Sequence, residues 1–326
     1  MNWHSRKHIR VGLIGAGAIA RQAYLPLLKD LEGLRLTAIV EPDQRIIADL
    51  SREFRLAYLG PDLDAALAHV DAVIICTPNY LHYPIARACL EQGKHILCEK
   101  PVTTKVEDCE NLLQMASSNA LSFTVGHVRR FYPAVKRIKE IVAGNLLGHL
   151  IGFDFREGTV FNWPTASGYI FDREKAGGGV LLDIGVHLLD LLLYWLANEP
   201  VQVDYADDTL GGIEAFADMR IVFSNGVTGH VRLSRLSVLR NIYELVFEKG
   251  RLQWSPFHPG SLCVRRNGRK PEFITSKNEN PTRALLADFT AAILQGRQPE
   301  VTLTEALRTL RLIDYCYRTR KPLPLD

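Results

Sequence analysis

Three ionisable side chains, Asp183, His187 and Asp190, interrupt the apolar stretch GGGVLLDIGVHLLDLLLYWL, Gly177 to Leu196. Their spacings of four and then three residues place them on one face of a helix. From Val180 onward the stretch is apolar nearly all the way round, which is typical of a buried helix. An acid–imidazole–acid row indicates proton transfer, because imidazole titrates near neutral pH. The alternative is a satisfied buried network with no catalytic part.

A glycine pattern, Gly15-x-Gly17-x-x-Ala20, follows a predicted strand and opens a predicted helix in VGLIGAGAIA. The first glycine permits a tight turn, the second lets a pyrophosphate approach the backbone, and the small Ala20 lets the helix pack on the strand. Ala18 and Ile19, at the helix start, would face the phosphates. A simple strand–helix turn is the alternative. The position of the pattern at the first turn of an alternating strand–helix series predicts dinucleotide binding.

Glu41 ends the second predicted strand, where a carboxylate accepts hydrogen bonds from the ribose hydroxyls of adenosine. A 2′-phosphate about 4 Å away would be repelled by ~4 kcal/mol at an effective dielectric constant near 20. That repulsion is on the order of a thousandfold in affinity. The sequence therefore predicts NAD as the cofactor, with NADP as the alternative if Arg21 or Arg45 offsets the repulsion.

Two further segments follow predicted buried strands, at the edge where doubly wound sheets bind ligands. One of these segments contains Lys100. A lysine at the end of a strand is usually only solvated, but beside a nicotinamide ring Lys100 could polarise a substrate oxygen or move its proton. Pro101 biases Lys100 away from helical dihedrals, which suits a loop. A helix N-cap is the alternative for Asn79, and a solvated side chain is the alternative for His82. The candidate cofactor contacts in these segments are Thr77, Pro78, Asn79, His82, Glu99 and Lys100.

The elements that must position these residues alternate between strand and helix up to about residue 126. Continuous apolar runs are typical of strands buried on both faces, and the alternation predicts a parallel, doubly wound sheet. The predicted strands are Arg10–Ile14, Leu36–Val40, Ala72–Cys76, His95–Cys98 and Leu121–Val125, and the predicted helices are Ala18–Leu31, Arg45–Phe54, Tyr80–Gln92 and Val106–Ser117.

After Gly126 the pattern changes, because turn dipeptides such as Asn225-Gly226 and Asn267-Gly268 separate short runs. These predict a large, mainly antiparallel sheet, and hence an α/β chain of two domains, residues 1–126 and 127–326. The last helices can pack back on the first domain. The elements expected in this part include helices Ala134–Ala143, Arg283–Gln295 and Thr304–Tyr317 and strands Leu150–Glu157, Phe216–Phe223 and Tyr243–Phe247.

Composition narrows the class of protein. The 326 residues are 47% hydrophobic and 23% charged with a net charge of +3, which is ordinary globular composition and suggests neither nucleic acid nor an anionic membrane surface as a partner. Six cysteines without a C-x-x-C pair predict reduced thiols in a cytoplasmic protein and no metal site. The basic N-terminus is interpreted as leading into a first strand rather than a signal peptide. No segment approaches membrane-spanning length, Leu188–Ala197 being far short.

The glycine start, the Glu99-Lys100-Pro101 triplet, GGGVLLDIGVH and GHVRRFYPAVKRIKEIVAGNLLG together resemble the glucose–fructose oxidoreductase/inositol dehydrogenase (Gfo/Idh/MocA) family essentially end to end. The resemblance implies an N-terminal Rossmann domain and a C-terminal α/β domain with an open, mainly antiparallel sheet. It implies a nicotinamide cofactor and a sugar, polyol or nucleotide-sugar substrate between the domains. It matches the family's lysine and Asp/His pair to Lys100, Asp183 and His187. Glu41 stands where an aspartate is often found.

These observations predict an NAD(P)-dependent dehydrogenase or ketoreductase acting on CH–OH groups. We expect His187 to be the general base and Lys100 to hold the reacting oxygen. Asp183 would orient a substrate hydroxyl or the imidazole and favour protonated His187, and Asp190 would be structural. One alternative is a glycoside-cleaving enzyme that retains NAD and oxidises the sugar transiently. Another is a catalytically silent regulator that binds sugar or NAD, although a regulator has no need of the three catalytic candidates.

The substrate side carries weaker signals. Arg130, Trp163 and Tyr169 are the candidate substrate contacts, since the aromatic rings could stack on a sugar, although aromatic loop residues more often simply pack. The three glycines from Gly177 are expected to let the chain approach the cleft closely. The open sheet predicts a homodimer or homotetramer through an apolar face, with cover by the chain's own loops as the alternative. The other residues expected to flank the cleft are Arg129, Phe131, Glu157 and Arg173.

Overall fold

The computed structural model describes residues 8–162, 168–209, 213–276 and 279–323. Its first sheet consists of β1 Ile9–Ile14, β2 Leu34–Val40, β3 Tyr58–Gly60, β4 Ala72–Ile75, β5 His95–Cys98 and β6 Phe123–Val125. All neighbours are parallel, in the order β3-β2-β1-β4-β5-β6. The order reverses between β1 and β4, which is the switch point where such sheets bind ligands. The predicted Rossmann-type sheet is confirmed.

Short helices connect these strands. Strands β4 and β5 are buried along their whole length, as their continuous apolar sequences predict. Asp43 and Asp62 each begin a helix by accepting a hydrogen bond from a backbone N–H of its first turn. The helices are α1 Leu25–Leu28, α2 Gln44–Glu53, α3 Leu63–Leu67, α4 His82–Glu91 and α5 Val106–Ser118.

The helix predicted over Ala18–Leu31 begins at Ala18 as expected, but it contains a π-type turn, Ala20–Tyr24, and its last part, α1, ends at Leu28. Strand β3 and helix α3 were not predicted from the sequence. They have three and five residues, too few for either periodicity to be visible.

The second sheet has nine strands in the order β14-β13-β12-β11-β7-β10-β9-β8-β15. Two neighbouring pairs, β7 with β10 and β8 with β15, are parallel, and the others are antiparallel. The prediction of a mainly antiparallel sheet is confirmed. The strands are β7 Leu150–Gly158, β8 Pro200–Asp207, β9 Phe216–Phe223, β10 Thr228–Ser234, β11 Ile242–Phe247, β12 Gly250–Trp254, β13 Ser261–Arg266, β14 Glu272–Thr275 and β15 Lys321–Pro322.

Helix α8, Val186–Leu196, is the core helix of the second half and packs against α6 and α10. Its Trp195 ring meets the rings of Phe155, Tyr243 and Trp254 of the sheet at centroid distances of 5.8, 6.4 and 6.2 Å. The helices of this half are α6 Pro133–Ala143, α7 Arg173–Ala176, α8, α9 Pro281–Gln295 and α10 Leu303–Arg318.

Helix α10 also packs on α5 and β6, so the end of the chain returns to the first half. An ion pair of 2.7 Å between Arg311 of α10 and Glu110 of α5 joins these two helices. The division at residue 126 falls between β6 and a 3₁₀ turn, Val128–Phe131. The domain boundary itself stays a prediction.

The face of the second sheet that points away from α8 carries charged side chains. Asp218 and Arg232 pair across β9 and β10 at 2.7 Å, and Asp154 pairs with Arg156 on β7 at 2.6 Å. Buried and more exposed residues alternate along both β9 and β10. The sequence predicted an apolar outer face for this sheet. That prediction is wrong, because the apolar side chains of β9 mainly point inward. The buried ones are Ala217, Met219, Ile221 and Phe223.

One helical stretch, Arg173–Leu196, is long and apolar enough to span a membrane by length and composition. It is longer than the segment Leu188–Ala197 considered from the sequence, because the turns before α8 extend it. Of its most apolar 18 residues, 78% are buried inside the protein, as expected of a core helix.

Candidate active site

The glycine turn after β1 leaves space beside its backbone. Gly15 has a φ of 86°, and a Cβ there would lie 2.9 Å from the Thr77 side chain, so only glycine fits. A Cβ on Gly17 would meet no atom within 4 Å. Ala18 and Ile19 follow as half-buried residues. The turn thus offers an open backbone surface at the switch point of the first sheet.

Glu41 is buried at the end of β2, beside the glycine turn. Its Oε2 accepts a hydrogen bond from the Ala16 N–H at 2.9 Å, and its Oε1 accepts one from Asp43 N–H at 3.0 Å. Among the described residues, neither Arg21 nor Arg45 forms an ion pair with this carboxylate. The Arg21 Nε–H donates instead to the Ala16 carbonyl at 3.3 Å.

The segment after β4 contributes an unsatisfied polar atom. Thr77 Oγ1 is buried and has no hydrogen-bond partner among the described residues. Pro78 precedes Asn79, which opens a 3₁₀ turn rather than capping α4. The Asn79 Oδ1 accepts a hydrogen bond from the Tyr169 hydroxyl at 3.3 Å, which links this edge to the second half of the chain.

The structure corrects both interpretations of His82, the cofactor contact and the solvated side chain. The ring is buried, with Nδ1 2.7 Å from the Pro101 carbonyl oxygen and Nε2 2.8 Å from the Thr77 carbonyl oxygen. Both ring nitrogens are therefore engaged by the backbone. His82 joins the segments that follow β4 and β5.

Hydrogen bonds to Tyr24 and to the backbone hold the Glu99 carboxylate in place. Its Oε1 accepts a hydrogen bond from the Tyr24 hydroxyl at 2.5 Å, and its Oε2 accepts one from the Lys100 backbone N–H at 3.1 Å. Burial raises the pKa of Glu99. A Cβ on Gly126 would lie 3.0 Å from the Glu99 carboxyl carbon, so this contact also requires a glycine.

The glycines before α8 are required by packing against other parts of the chain, which corrects the expectation that they let the chain approach the cleft. Gly177 has a φ of 79°. A Cβ on Gly178 would lie 2.1 Å from the Tyr317 hydroxyl oxygen, and one on Gly179 would lie 1.9 Å from the Glu214 carbonyl oxygen.

The buried carboxylate of Glu214 fixes this entrance, and no sequence signal indicated it. Its oxygens accept hydrogen bonds from Gly179 N–H at 2.9 and 3.0 Å, from Leu181 N–H at 2.9 Å and from the Tyr317 hydroxyl at 2.8 Å. Burial raises the pKa of Glu214. Glu214 thereby holds the backbone from which Asp183 projects.

Asp183 lies in a π-type turn, Leu181–Gly185, and not in regular α-helix. A π turn holds more residues than an α turn, so the row predicted on one helix face is broken at Asp183. Its Oδ1 lies 3.1 Å from Lys100 Nζ, and its Oδ2 lies 2.6 Å from Arg235 Nη2. Burial alone would raise the pKa of Asp183, but the two cations outweigh it and lower the pKa to about 2.

His187 is half-buried in the first turn of α8. Its Nδ1 is buried without a partner among the described residues, and its ring meets the His127 ring edge-on at a centroid distance of 6.1 Å. Burial, followed by the charges of Lys100 and Arg129, lowers the pKa of His187 well below its usual range. The expectation that Asp183 favours protonated His187 is therefore wrong, because the surroundings keep the imidazole neutral.

Arg130, predicted to bind substrate, is instead buried in an ion-pair network. Its Nε and Nη2 donate to the two oxygens of Asp190 at 2.8 and 2.7 Å, and its Nη1 donates to Glu305 at 2.5 Å. Asp190 thus has the structural role expected of it. Arg129 is paired in the same bidentate way with Glu157, at 2.7 Å for both bonds.

Tyr169 is the predicted substrate contact that the structure does bring to the site. Besides its bond to Asn79, its ring lies 6.4 Å from that of Tyr80. Burial, followed by the charge of Asp183, raises the pKa of Tyr169 to about 12. Trp163, the other aromatic candidate, lies outside the described residues.

A dinucleotide fits the edge formed by the ends of β1, β2, β4 and β5. The open space beside Gly17, the buried Glu41 and the unsatisfied Thr77 Oγ1 are the features expected of its site. Across the described ranges, no group of three or more His, Cys, Asp or Glu side chains could hold a metal ion.

Comparison with known proteins assigns both halves to one family. Residues 9–127 match the family model described as an oxidoreductase family with an NAD-binding Rossmann fold, and residues 135–253 match the GFO/IDH/MocA C-terminal domain. A solved structure of aldose–aldose oxidoreductase from Caulobacter crescentus, complexed with glycerol, has a TM-score of 0.88 at 25% identity. The match covers 96% of this chain and 97% of the chain of the solved structure.

Several curated relatives carry named activities, among them a sugar-nucleotide dehydrogenase and a hydratase. UDP-N-acetylglucosamine 3-dehydrogenase of Acidithiobacillus ferrooxidans is 27% identical over 242 residues, which are 70% of this chain and 68% of the relative. The 2,7-anhydro-N-acetylneuraminate hydratase of Mediterraneibacter gnavus is 29% identical over 219 residues, 65% of this chain and 56% of the relative.

Proposed function

The chain belongs to the GFO/IDH/MocA family of NAD-binding oxidoreductases, and we propose that it transfers a hydride between NAD and a secondary alcohol or ketone of a sugar, cyclitol or sugar nucleotide. The observation that supports this reaction is the Lys100–Asp183 ion pair beside the neutral imidazole of His187. The relative named as a UDP-sugar dehydrogenase and the solved aldose oxidoreductase support the substrate class.

Lys100 has the role of holding the substrate oxygen. Its ammonium group lies at the ligand-binding edge of the first sheet, and Asp183 anchors it with both a carboxylate oxygen and the backbone carbonyl, at 3.1 and 3.0 Å. A fixed positive charge stabilises the alkoxide character that develops on the oxygen as the C–H bond breaks.

His187 has the role of general base in alcohol oxidation. A neutral imidazole can accept the hydroxyl proton directly. Because nearby Lys100 and Arg129 disfavour the imidazolium ion, the proton is readily returned to a substrate oxygen in the reducing direction. When bound, the nicotinamide ring supplies the hydride acceptor for oxidation and the hydride donor for reduction.

The proposal is tested with a panel of cyclitols, aldoses and sugar nucleotides, incubated with the enzyme and NAD and monitored at the NADH absorbance. We expect at least one compound to produce NADH in proportion to a ketone or lactone product. Turnover that appears only as bond cleavage, with no net NADH, would contradict it.

The hydratase relative favours a second candidate function. In this second function, NAD would stay bound while the sugar is oxidised transiently, the aglycone is eliminated, and the remaining sugar is reduced again. Product analysis by chromatography separates the two, because the second reaction changes the sugar while NADH absorbance returns to its starting value. A silent regulator is less well supported, since binding alone has no need of Lys100, Asp183 and His187.

We also propose a cytoplasmic homo-oligomer, a dimer or tetramer formed through the second sheet. Support for the location is that all six cysteines are buried and unpaired. The proposal for the assembly rests on the open nine-strand sheet, whose outer face a second copy of the chain can cover. A monomeric mass by light scattering would contradict the assembly.

A further inference from the structure

Arg235, at the end of β10, contributes a cation to the site that its surroundings leave largely unsatisfied. The residue is 6% exposed, and its Nη2 donates to Asp183 at 2.6 Å. Its Nε is buried and has no hydrogen-bond partner among the described residues. The Phe161 ring lies 5.1 Å from the guanidinium carbon, so the group is held between an aromatic face and a carboxylate.

Arg130, the other buried arginine among the described residues, and the adjacent half-buried Arg129 are matched by carboxylates. Arg129 makes two bonds to Glu157, and Arg130 makes two to Asp190 and one to Glu305. Arg235 has a single side-chain bond, to a carboxylate that it shares. Compared with Arg129 and Arg130, its guanidinium group keeps unused donor capacity that a ligand can satisfy.

The charges around Arg235 leave a positive excess. One carboxylate, Asp183, serves two cations, Lys100 and Arg235. His187 is neutral because its pKa lies well below the usual range. Glu99 is bound to the Tyr24 hydroxyl and a backbone N–H, and it forms no ion pair among the described residues. The Asp183 side chain is 36% exposed, whereas those of Lys100 and Arg235 are 17% and 7% exposed, so the shared carboxylate is the most exposed of the three groups.

We propose that Arg235 binds an anionic oxygen group of the substrate, so that the enzyme prefers sugars carrying a carboxylate or a phosphate over their neutral counterparts. A guanidinium group offers a planar pair of N–H donors that matches both anions, and its charge is permanent. The inference rests on the proposed function, because it names the substrate class of the same site.

The first experiment measures binding of matched sugars to the enzyme saturated with NADH, by calorimetry. The carboxylate arm compares glucuronate with glucose, and the phosphate arm compares glucose 6-phosphate with glucose. The expected result is at least tenfold tighter binding in one of the two arms, which also distinguishes the two anions. Equal or weaker binding of both acidic sugars, or no measurable binding of either, overturns the proposal.

The second experiment uses Arg235→Gln and Arg235→Lys, with Arg232→Gln, on the outer face of β10, as the matched control. Arg235→Gln should abolish the preference for the acidic sugar while NADH affinity is unchanged, and Arg235→Lys should retain part of it. Arg232→Gln should behave as wild type. A preference that survives in Arg235→Gln overturns the proposal. If Arg235→Gln fails to fold, a reduced preference in Arg235→Lys supports the proposal and an unchanged preference overturns it.

The two proposals fail in different ways. Acidic sugars that bind tightly but yield no NADH when NAD is supplied leave the anion site standing and remove the dehydrogenase function. Turnover of neutral sugars with NAD, at an efficiency equal to that of the acidic ones, removes the anion site and leaves the dehydrogenase function.

Discussion

Lys100 and Asp183 form an ion pair of 3.1 Å that joins the edge of the parallel sheet to the turn before α8. The residues are 83 positions apart, so the pair exists only when the two halves of the chain are packed together. The proposed catalytic groups therefore depend on the packing between the halves as well as on each half.

Replacing Lys100 or His187 by alanine should each lower kcat by about 10²- to 10⁴-fold, the usual contribution of a group that transfers or stabilises a proton. NAD affinity should stay near wild type, since neither side chain lies at the glycine turn. Steady-state kinetics and a cofactor titration check this, with exposed His230→Ala as the control. Near-wild-type turnover in either folded variant would contradict the assigned roles.

Glu41→Ala should shift the cofactor preference towards NADP, by up to about a thousandfold in the ratio of affinities. The reason is that the carboxylate lies beside the glycine turn, where a 2′-phosphate would be repelled. Fluorescence titration of wild type and variant with both cofactors measures the ratio, and Asp43→Ala controls for loss of the neighbouring helix cap. An unchanged ratio would place the adenosine ribose elsewhere.

Glu214→Ala should lower the free energy of unfolding by about 3 kcal/mol or more. It leaves two backbone N–H groups and a hydroxyl without an acceptor, and each such group costs about 1–3 kcal/mol. Tyr317→Phe removes only the hydroxyl and should cost about 1 kcal/mol. Urea unfolding measures both. Equal stability of Glu214→Ala and wild type would show that the entrance to α8 does not depend on this carboxylate.

The stability of the fold should fall as the pH drops below about 6.5. Burial lowers the pKa of His127 to about 4 in the folded chain, while its unfolded value is about 6.5. At a pH between these two values, His127 is protonated in the unfolded chain and neutral in the folded chain. The contribution of His127 to the free energy of unfolding is therefore complete above the unfolded pKa. It is lost at up to ~1.4 kcal/mol per pH unit as the pH falls from the unfolded to the folded pKa.

Urea unfolding at about pH 7 and about pH 5 checks the direction of this pH effect. His127→Asn should reduce the difference between the two pH values, whereas exposed His230→Asn should leave it unchanged. A pH dependence that is the same in His127→Asn and wild type would show that another group carries it.

Arg130→Met should destabilise the protein by about 3–5 kcal/mol, because it leaves Asp190 buried and without its charge partner. Replacing both partners, as Arg130→Met with Asp190→Leu, should restore much of that loss. The KM for substrate should not change in the double variant. A raised KM at unchanged stability would return Arg130 to the substrate site. Arg137→Met, which breaks an exposed pair with Glu140, should cost at most about 1 kcal/mol.

Much of the fold could be predicted because its signals are local. Strand β5 was predicted over its observed range, His95–Cys98, from a short apolar run bounded by loop residues. The helix predicted over Ala18–Leu31 begins at Ala18 and ends at Leu28, and the π-type turn inside it was not predicted, because apolar spacing does not distinguish such a turn from an α-helix. Among the site residues, Lys100 and Asp183 were found from motifs, whereas Arg235 and Glu214 have no motif around them.

The alternation of strands and helices, the glycine turn and the burial of α8 follow from the amino-acid order alone, since each depends on residues close together along the chain. The partners of the charged groups depend on how distant segments of the chain pack together. Asp183 was expected beside His187, four residues away, but it pairs with Arg235, 52 positions away, and with Lys100. The physical reason is that a partner is selected by direction and by distance in space. One π-type turn redirects Asp183, while burial and two nearby cations keep His187 neutral.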